Sequence, residues 1–274
     1  MREDGLRRLF GRPEVGIPAV SPCQVVIEEL MEEVGVFWPE GLREAVKMAK
    51  LALAGHTVLG FRSVRLPFDR MVEVEALGAN LTYSGRDEFP EVERYLDRPF
   101  YEFPRSIVGA GRTSEVLKAL RLAREAAKVP LFGGMLGPFS ILCHMFGPVE
   151  MFKATVKRSA EVVQAMELVT SLLIDYGEEM VGAGADVIVV EEEFVSPKMI
   201  SPRFFRNGVA PMLERIVKEI EAPVVIHLCE DVTVLAEDVL KIGPAGLSVD
   251  HQPDLRRLSR VLKGKVCLLY TSDA

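Results

Sequence analysis

His227 and Cys229 lie two residues apart at the end of an apolar run that begins at Pro223, and their side chains could bind a metal ion. Residues i and i+2 of a β-strand point to the same face, so the two side chains should converge. Imidazole and thiolate are ligands that zinc prefers. Asp250 ends the next predicted strand, where its carboxylate could add a third contact. The spacing alone is more often that of a core histidine beside a buried, unreactive thiol, so both interpretations stay open.

The chain alternates short apolar runs with longer helical patterns, which is typical of a parallel sheet with right-handed crossovers. Several runs are apolar at successive positions, as strands buried on both faces are. An open doubly wound sheet and a closed barrel both satisfy this pattern. The predicted strands are Gly16–Val20, Ser63–Leu66, Val129–Met135, Asp186–Val190, Pro223–Cys229, Gly246–Asp250 and Lys265–Leu269. The predicted helices are Leu42–Ala54, Ser114–Lys128, Ala160–Val181, Pro202–Ile220 and Asp231–Ile242.

Three further polar residues follow predicted strands, at the edge where parallel barrels place their sites. Gln24 follows the first strand, Asp69 follows the second, and Glu192 ends the strand Asp186–Val190. Each could bind substrate, and a loop cap or a solvated charge explains each of them as well. His144 lies in a helical pattern that predicts a packing residue.

A run of three acids and a group of glycines flank these positions. The run 191–193 is most simply interpreted as solvated charge. Gly133, Gly134 and Gly137 could bring the backbone close to a ligand, or could serve close packing of a helix on a strand.

Composition describes a globular chain of 274 residues with 33 basic and 40 acidic residues and a net charge of −7. A nucleic-acid surface is not expected, because phosphate binding needs a basic face. The longest uncharged stretch, 129–149, holds four glycines and three prolines, so no membrane span is expected. Four cysteines without disulfide spacing, and no apolar leader, predict a cytoplasmic protein. No glycine-rich nucleotide-binding motif follows the first strand.

The chain resembles the methylcobamide:coenzyme M methyltransferase family, a branch of the uroporphyrinogen decarboxylase-like barrels. The resemblance extends from the N-terminus to about Val266 and rests on several segments found together in this order. They are PEVGIPAVSPCQ, ELMEEVGVFWPE, MAKLALAGH, VRLPFDRMVEVEALGAN, VPLFGGMLGPFS, AGADVIVV, MISPRFF, IHLC and GLSVD.

This resemblance implies a TIM (β/α)8 barrel with one zinc ion near its carboxyl mouth. His227 and Cys229 would be zinc ligands and catalytic residues, and Asp250 would ligate zinc when substrate is absent. A thiol, with coenzyme M expected, would accept a methyl group from a methylated corrinoid on a small corrinoid-binding protein, in methanogenic or methylotrophic metabolism. Gln24 and the two acids Asp69 and Glu192 would then shape the thiol or corrinoid site.

The chain departs from the family in two places. Relatives usually follow the His-x-Cys pair with Gly-Asn, where this chain has Glu230-Asp231. The tail CLLYTSDA, residues 267–274, does not match the family, so we expect it not to be native. Residues 1–266 would then form one barrel domain without its last strands and helices. The family's second cysteine ligand would be missing, and Cys267 is not offered in its place.

Two alternatives remain at this point. A uroporphyrinogen decarboxylase would need no metal, but it would leave the His-x-Cys pair without a role, and its arginine-rich N-terminal signature is not found after Pro22. A non-catalytic barrel fragment that binds a corrinoid protein would retain partner binding without zinc.

Overall fold

The computed structural model describes residues 19–22, 26–100 and 102–270. Six parallel strands form one sheet, and a separate antiparallel pair forms a small second sheet. The large sheet contains β1 (Val64–Leu66), β4 (Leu131–Leu136), β5 (Val187–Glu192), β6 (Val224–Leu228), β7 (Gly246–Val249) and β8 (Cys267–Tyr270), in that spatial order. The small sheet pairs β2 (Leu81–Thr82) with β3 (Glu91–Val92), in the part of the chain between β1 and β4.

Helices connect the parallel strands and cover the outer face of the sheet. The elements before β4 are α1 (Glu28–Val34), α2 (Glu40–Arg43), α3 (Ala45–Thr57), α4 (Val72–Ala76) and α5 (Thr113–Ala126). Those after it are α6 (Pro138–Phe146), α7 (Pro148–Lys157), α8 (Ser159–Gly182), α9 (Pro202–Phe204), α10 (Ala210–Glu219), α11 (Ala236–Ile242) and α12 (Leu255–Leu262). A π-helical turn, Phe205–Val209, joins α9 to α10.

The two faces of the sheet bury different sets of side chains. The large core packs helices against one face, with residues such as Ile188, Val190 and Ile226. Alternate residues on the other face form a second, smaller apolar cluster, which contains Phe132, Val187, Val189, Val225 and Ala245. Because side chains alternate along a strand, the residues in register with this second cluster share its face, which we call the inner face.

The strands and helices predicted from the sequence agree with the structure within a few residues. The largest helix difference is at Asp231, where a 3-10 turn, Thr233–Leu235, precedes α11. Most of the predicted first strand, Gly16–Val20, lies outside the described residues. The backbone amide of Arg62 donates to the carbonyl of Ala19 at 2.9 Å, so the segment before Pro22 lies beside the start of β1. Within the described part of the chain, no helix combines the length and apolarity that crossing a bilayer requires.

Candidate active-site cleft

A polar layer lies on the inner face, next to the apolar cluster and toward the carboxyl ends of the strands. Glu191, His227 and Ser248 are in register on β5, β6 and β7. Arg65 reaches across from β1 and forms a buried ion pair with Glu191. A Cβ on Gly134 of β4 would overlap the Arg65 guanidinium, so this glycine makes room for the ion pair and not for a ligand. Four strands therefore place polar side chains side by side at one level.

The pair expected from the sequence converges in the structure. Nε2 of His227 lies 3.3 Å from Sγ of Cys229, and Nδ1 of His227 lies 3.0 Å from the Ser248 hydroxyl. Ligand atoms on one tetrahedral zinc ion, with bonds of about 2.0 Å to nitrogen and 2.3 Å to sulfur, stand about 3.5 Å apart. His227 is buried and Cys229 is half-buried. The imidazole and the thiol thus fit as two ligands of one zinc ion.

Asp250 stands just beyond β7 but does not join this pair. One of its carboxylate oxygens accepts the backbone N–H of Glu230 at 2.7 Å, and the other accepts that of Gln252 at 2.9 Å. In residues 19–22, 26–100 and 102–270, no three His, Cys, Asp or Glu side chains come close enough together to hold a metal ion. In this structure the Asp250 carboxylate holds the loop after Cys229 through these two backbone amides.

The loop after Cys229 contains a residue with a strained backbone, Glu230. Glu230 has φ of 61°, in the left-handed region that glycine adopts without cost. Its side chain accepts a hydrogen bond from the Ser196 hydroxyl at 2.8 Å and lies 3.6 Å from the Lys198 ammonium. Glu230 therefore combines a glycine-like backbone conformation with a carboxylate beside the site.

The run of three glutamates is buried rather than solvated, so the simplest interpretation of its sequence is wrong. Glu191, Glu192 and Glu193 are at most 8% exposed, and each has a different partner. Glu191 pairs with Arg65, as described above. Glu191 and Glu192 meet different environments because adjacent residues on a strand point to opposite faces, and Glu193 lies just beyond the end of β5.

Glu192 lies beneath the N-terminus of α6. Its carboxylate accepts the backbone N–H groups of Phe139 and Ser140 and the Ser140 hydroxyl, at 3.0, 2.9 and 2.6 Å. Burial raises the pKa of Glu192 to about 7, against the opposing effect of these hydrogen bonds. A Cβ on Gly137 would overlap this carboxylate, so the glycine serves packing. The substrate-binding role predicted for Glu192 is untested, and the contacts seen here hold a helix.

Glu193 instead faces a cleft at the carboxyl ends of the strands. This cleft has a volume of about 960 Å³, and its wall includes Cys229, His144, Arg70 and Tyr95. One Glu193 oxygen pairs with the Arg70 guanidinium, and the other lies 2.8 Å from Nε2 of His144. Burial, and secondly the charge of Arg70, lower the pKa of His144 to about 4, so the imidazole is neutral near pH 7.

Neither His144 nor Glu193 is among the site residues predicted from the sequence. The helical pattern predicts His144 as a packing residue. Its ring does contact Phe194, with centroids 5.3 Å apart, but it also belongs to the cleft wall. Only the contact with Glu193, 49 residues away along the chain, reveals the polar role.

Asp69 anchors the loop after β1. Both of its carboxylate oxygens bind the Arg112 guanidinium, at 2.7 and 2.9 Å, and one also accepts the backbone N–H of Met71 at 2.9 Å. Asp69 is 4% exposed, so the structure gives it a loop-holding contact next to the exposed Arg70. Gln24, the remaining predicted substrate residue, lies outside the described residues.

A fully buried acid, Glu73, lies close to this polar layer. Its Oε2 accepts the backbone N–H of Leu136 at 3.4 Å, while its Oε1 has no hydrogen-bond partner among the described residues. Burial raises the pKa of Glu73 to about 8, and the charges of Asp69 and Glu191 add to the rise. Glu73 is therefore protonated near neutral pH.

Comparison with known proteins shows the family to which this chain belongs. The family model described as uroporphyrinogen decarboxylase (URO-D) matches residues 2–269. The chain belongs to this family. A methylcobamide:CoM methyltransferase MtaA from Methanosarcina barkeri is 32% identical over 254 residues, which are 90% of this chain and 74% of the relative. A methylcobamide:CoM methyltransferase MtbA from Methanosarcina acetivorans is 31% identical over 259 residues, 91% of this chain and 76% of the relative.

A solved structure of a family member agrees with the fold. It is described as a methyltransferase from Methanosarcina mazei and matches with a TM-score of 0.87 at 32% identity, covering 97% of this chain and 81% of that chain. The predicted fold class, a TIM barrel of the uroporphyrinogen decarboxylase type, is thereby confirmed. So is the resemblance to the methylcobamide:coenzyme M methyltransferases, and with it the enzyme class, a methyltransferase.

Proposed function

We propose that this protein transfers a methyl group from a methylated corrinoid to the thiol of coenzyme M, with His227 and Cys229 as ligands of a catalytic zinc ion. Two relatives of 31–32% identity are named as methylcobamide:CoM methyltransferases, which supports the donor and the acceptor. The observation that carries the zinc proposal is the 3.3 Å approach of Nε2 of His227 to Sγ of Cys229 beside the cleft.

The chemistry that zinc supplies when bound is to hold the acceptor sulfur as a thiolate, the nucleophilic form of a thiol. With the methylated corrinoid as substrate, the sulfur would form a bond to the methyl carbon, and the cobalt–carbon bond would break and leave its electron pair on cobalt. The protein contributes position: the Ser248 hydroxyl contacts Nδ1 of His227, so that Nε2 faces Cys229. A metal-free decarboxylase would have no use for this convergence, so the pair favours methyl transfer.

The cleft is large enough for two reactants. A volume of about 960 Å³ is near the upper end of small-molecule sites and far exceeds the needs of a two-carbon thiol. We propose that the remaining space admits the methylated face of a corrinoid carried by a small partner protein.

The other residues predicted for the site have different roles in this proposal. Asp250 is kept as the predicted third ligand, which requires its carboxylate to turn away from the Glu230 backbone amide. Asp69 would act through the loop that it holds next to Arg70. Glu192 would act through α6, and Gln24 stays a prediction from the sequence.

Removing Cys229 tests the function directly. In the Cys229→Ala and His227→Ala variants we expect bound zinc to fall from about one ion per chain to a small fraction, and methyl transfer to fall by on the order of 1000-fold. Zinc is measured by elemental analysis, and activity by transfer from free methylcobalamin to coenzyme M. Cys267→Ala, in the apolar layer, controls for the loss of a cysteine. Equal zinc content in wild type and Cys229→Ala would refute the proposed metal site.

A further inference from the structure

The cleft that contains Cys229 has one cationic side chain in its wall, and that side chain is fixed in place. Among the described residues that line the cleft, Arg70 is the only arginine or lysine. The His144 imidazole adds no positive charge near neutral pH, because its pKa is lowered to about 4 by burial and by Arg70. Among the described side chains of the cleft wall, a negatively charged group therefore meets a single cation, the Arg70 guanidinium.

Neighbouring residues hold both the backbone and the guanidinium of Arg70. Its neighbour in the chain, Asp69, accepts hydrogen bonds from the Arg112 guanidinium and from the backbone amide of Met71. These contacts hold the backbone on both sides of Arg70. Its guanidinium pairs with Glu193, whose other carboxylate oxygen contacts His144. The contact with Glu193 uses one guanidinium nitrogen, and an arginine has five N–H donors. With its side chain 42% exposed, Arg70 keeps donors toward the cleft.

The surroundings confine a negative group to this one place. Exposed acids line the rest of the cleft entrance: Asp87, Glu88 and Glu91. Like charges repel an anion from these positions, whereas a guanidinium matches the oxygens of a sulfonate or carboxylate with two parallel hydrogen bonds. The glycines that could have offered backbone N–H groups to an anion, Gly134 and Gly137, are packed under Arg65 and Glu192.

We infer that Arg70, held by Glu193, is the anion-recognition residue of the acceptor site. It selects a short thiol that carries a sulfonate or carboxylate, with the thiol directed toward Cys229 and the anionic group toward Arg70. This inference deepens the proposed function and rests on it for the identity of the reacting thiol. It also assigns a task to a residue that neither the sequence motifs nor the zinc pair includes.

The experiment compares three thiols with methylcobalamin as donor: 2-mercaptoethanesulfonate, 3-mercaptopropionate and the uncharged 2-mercaptoethanol. In Arg70→Gln we expect KM for the sulfonate thiol to rise by about 10- to 100-fold, the range for losing hydrogen bonds to a charged group. We expect kcat, and KM for 2-mercaptoethanol, to change by no more than about 3-fold, because the uncharged thiol never uses the guanidinium. Arg70→Lys should recover part of the loss, since it keeps the charge without the planar fork.

A binding measurement separates this inference from the proposed function. Ethanesulfonate, which has no thiol, should bind wild type in calorimetric titration and bind Arg70→Gln at least about 10-fold more weakly. Arg215→Gln removes a half-buried arginine on α10, which does not line the cleft, and should behave as wild type. If no thiol is methylated but ethanesulfonate binding still depends on Arg70, the proposed function fails and the anion site stands.

Two results would overturn the inference. One is an equal loss of kcat/KM for all three thiols in Arg70→Gln, which would make Arg70 a structural residue of the cleft. The other is equal affinity of wild type and Arg70→Gln for ethanesulfonate. The 3-mercaptopropionate arm decides between anions: a KM close to that of the sulfonate thiol shows recognition of charge alone, and a much higher KM shows selection for sulfonate.

Discussion

The inner face of the sheet has two levels that differ in what they bury. The lower level is apolar and contains Phe132, Val187 and Val189. The upper level, two residues further along β5 and β6, contains Glu191, which pairs with Arg65 of β1, and His227 with its Ser248 contact. Burying charge costs free energy that apolar packing does not, so a polar layer here is evidence for function rather than stability. The two levels should therefore respond to mutation in opposite ways.

The largest expected effect is on the lower level. Phe132 is fully buried in the small cluster, and Phe132→Ala should lower the free energy of unfolding by about 3–5 kcal/mol, through lost burial and a cavity. Denaturant unfolding measures this change. Phe132→Leu, which keeps most of the volume, is the matched control and should cost less. Zinc affinity of the folded variant should stay within a few-fold of wild type, and a loss comparable to that of His227→Ala would show that the two levels are not separable.

Elements of this fold could be predicted from the sequence because their signals are local. Apolar runs and helical spacing identify strands and helices, and i, i+2 spacing places His227 and Cys229 on one face whatever the exact strand ends are. The site as a whole could not be predicted in the same way. The predicted strand ends at Val190, whereas β5 ends at Glu192. A shift of one residue in the strand assignment moves a side chain to the opposite face of the sheet. The sequence alone therefore does not tell which of Glu192 and Glu193 faces the cleft.

Other parts of the site depend on contacts between distant segments. His144 sits among apolar residues of α6, and nothing in that pattern distinguishes a packed ring from one that meets Glu193. The burial of the glutamate run likewise needs Arg65, Ser140 and Arg70 from three separate elements. For Asp250 the sequence predicts the position at the end of β7 but not the contacts. Backbone amides of Glu230 and Gln252 occupy the carboxylate oxygens that the sequence assigns to a metal ion.

The second prediction concerns the acid beside the upper level. Burial raises the pKa of Glu73 to about 8, above the ordinary value of 4.5. The folded state therefore binds this proton more tightly than the unfolded state, and the stability it contributes is present below about pH 4.5 and lost as pH rises through about 8. Glu192, with its pKa raised to about 7 by burial, acts in the same direction.

Glu73→Gln should remove most of the contribution from Glu73. The free energy of unfolding of wild type should fall by on the order of a few kcal/mol between about pH 5 and pH 9, and the variant should fall less. Denaturant unfolding at several pH values measures both slopes. Glu167→Gln, on an exposed face of α8, should keep the wild-type slope. A variant slope as steep as that of wild type would mean that Glu73 does not hold a proton in the folded protein.

The smallest expected effect separates the two levels most sharply. Ser248→Ala removes the hydroxyl that contacts Nδ1 of His227, so the imidazole loses the contact that directs Nε2 toward Cys229. Such outer contacts of a metal ligand are worth about 10- to 100-fold in metal affinity, and we expect zinc affinity to fall by that factor while the free energy of unfolding of the metal-free protein changes little.

Competition with a chelator measures zinc affinity, and the absorption spectrum of the cobalt(II)-substituted protein reports ligand geometry independently of activity. Ser248→Thr retains a hydroxyl and suits a strand, so it should restore most of the affinity. If Ser248→Ala instead lowers stability and leaves zinc affinity unchanged, the hydroxyl belongs to the packing of the sheet, and the boundary between the two levels lies above Ser248 rather than below it.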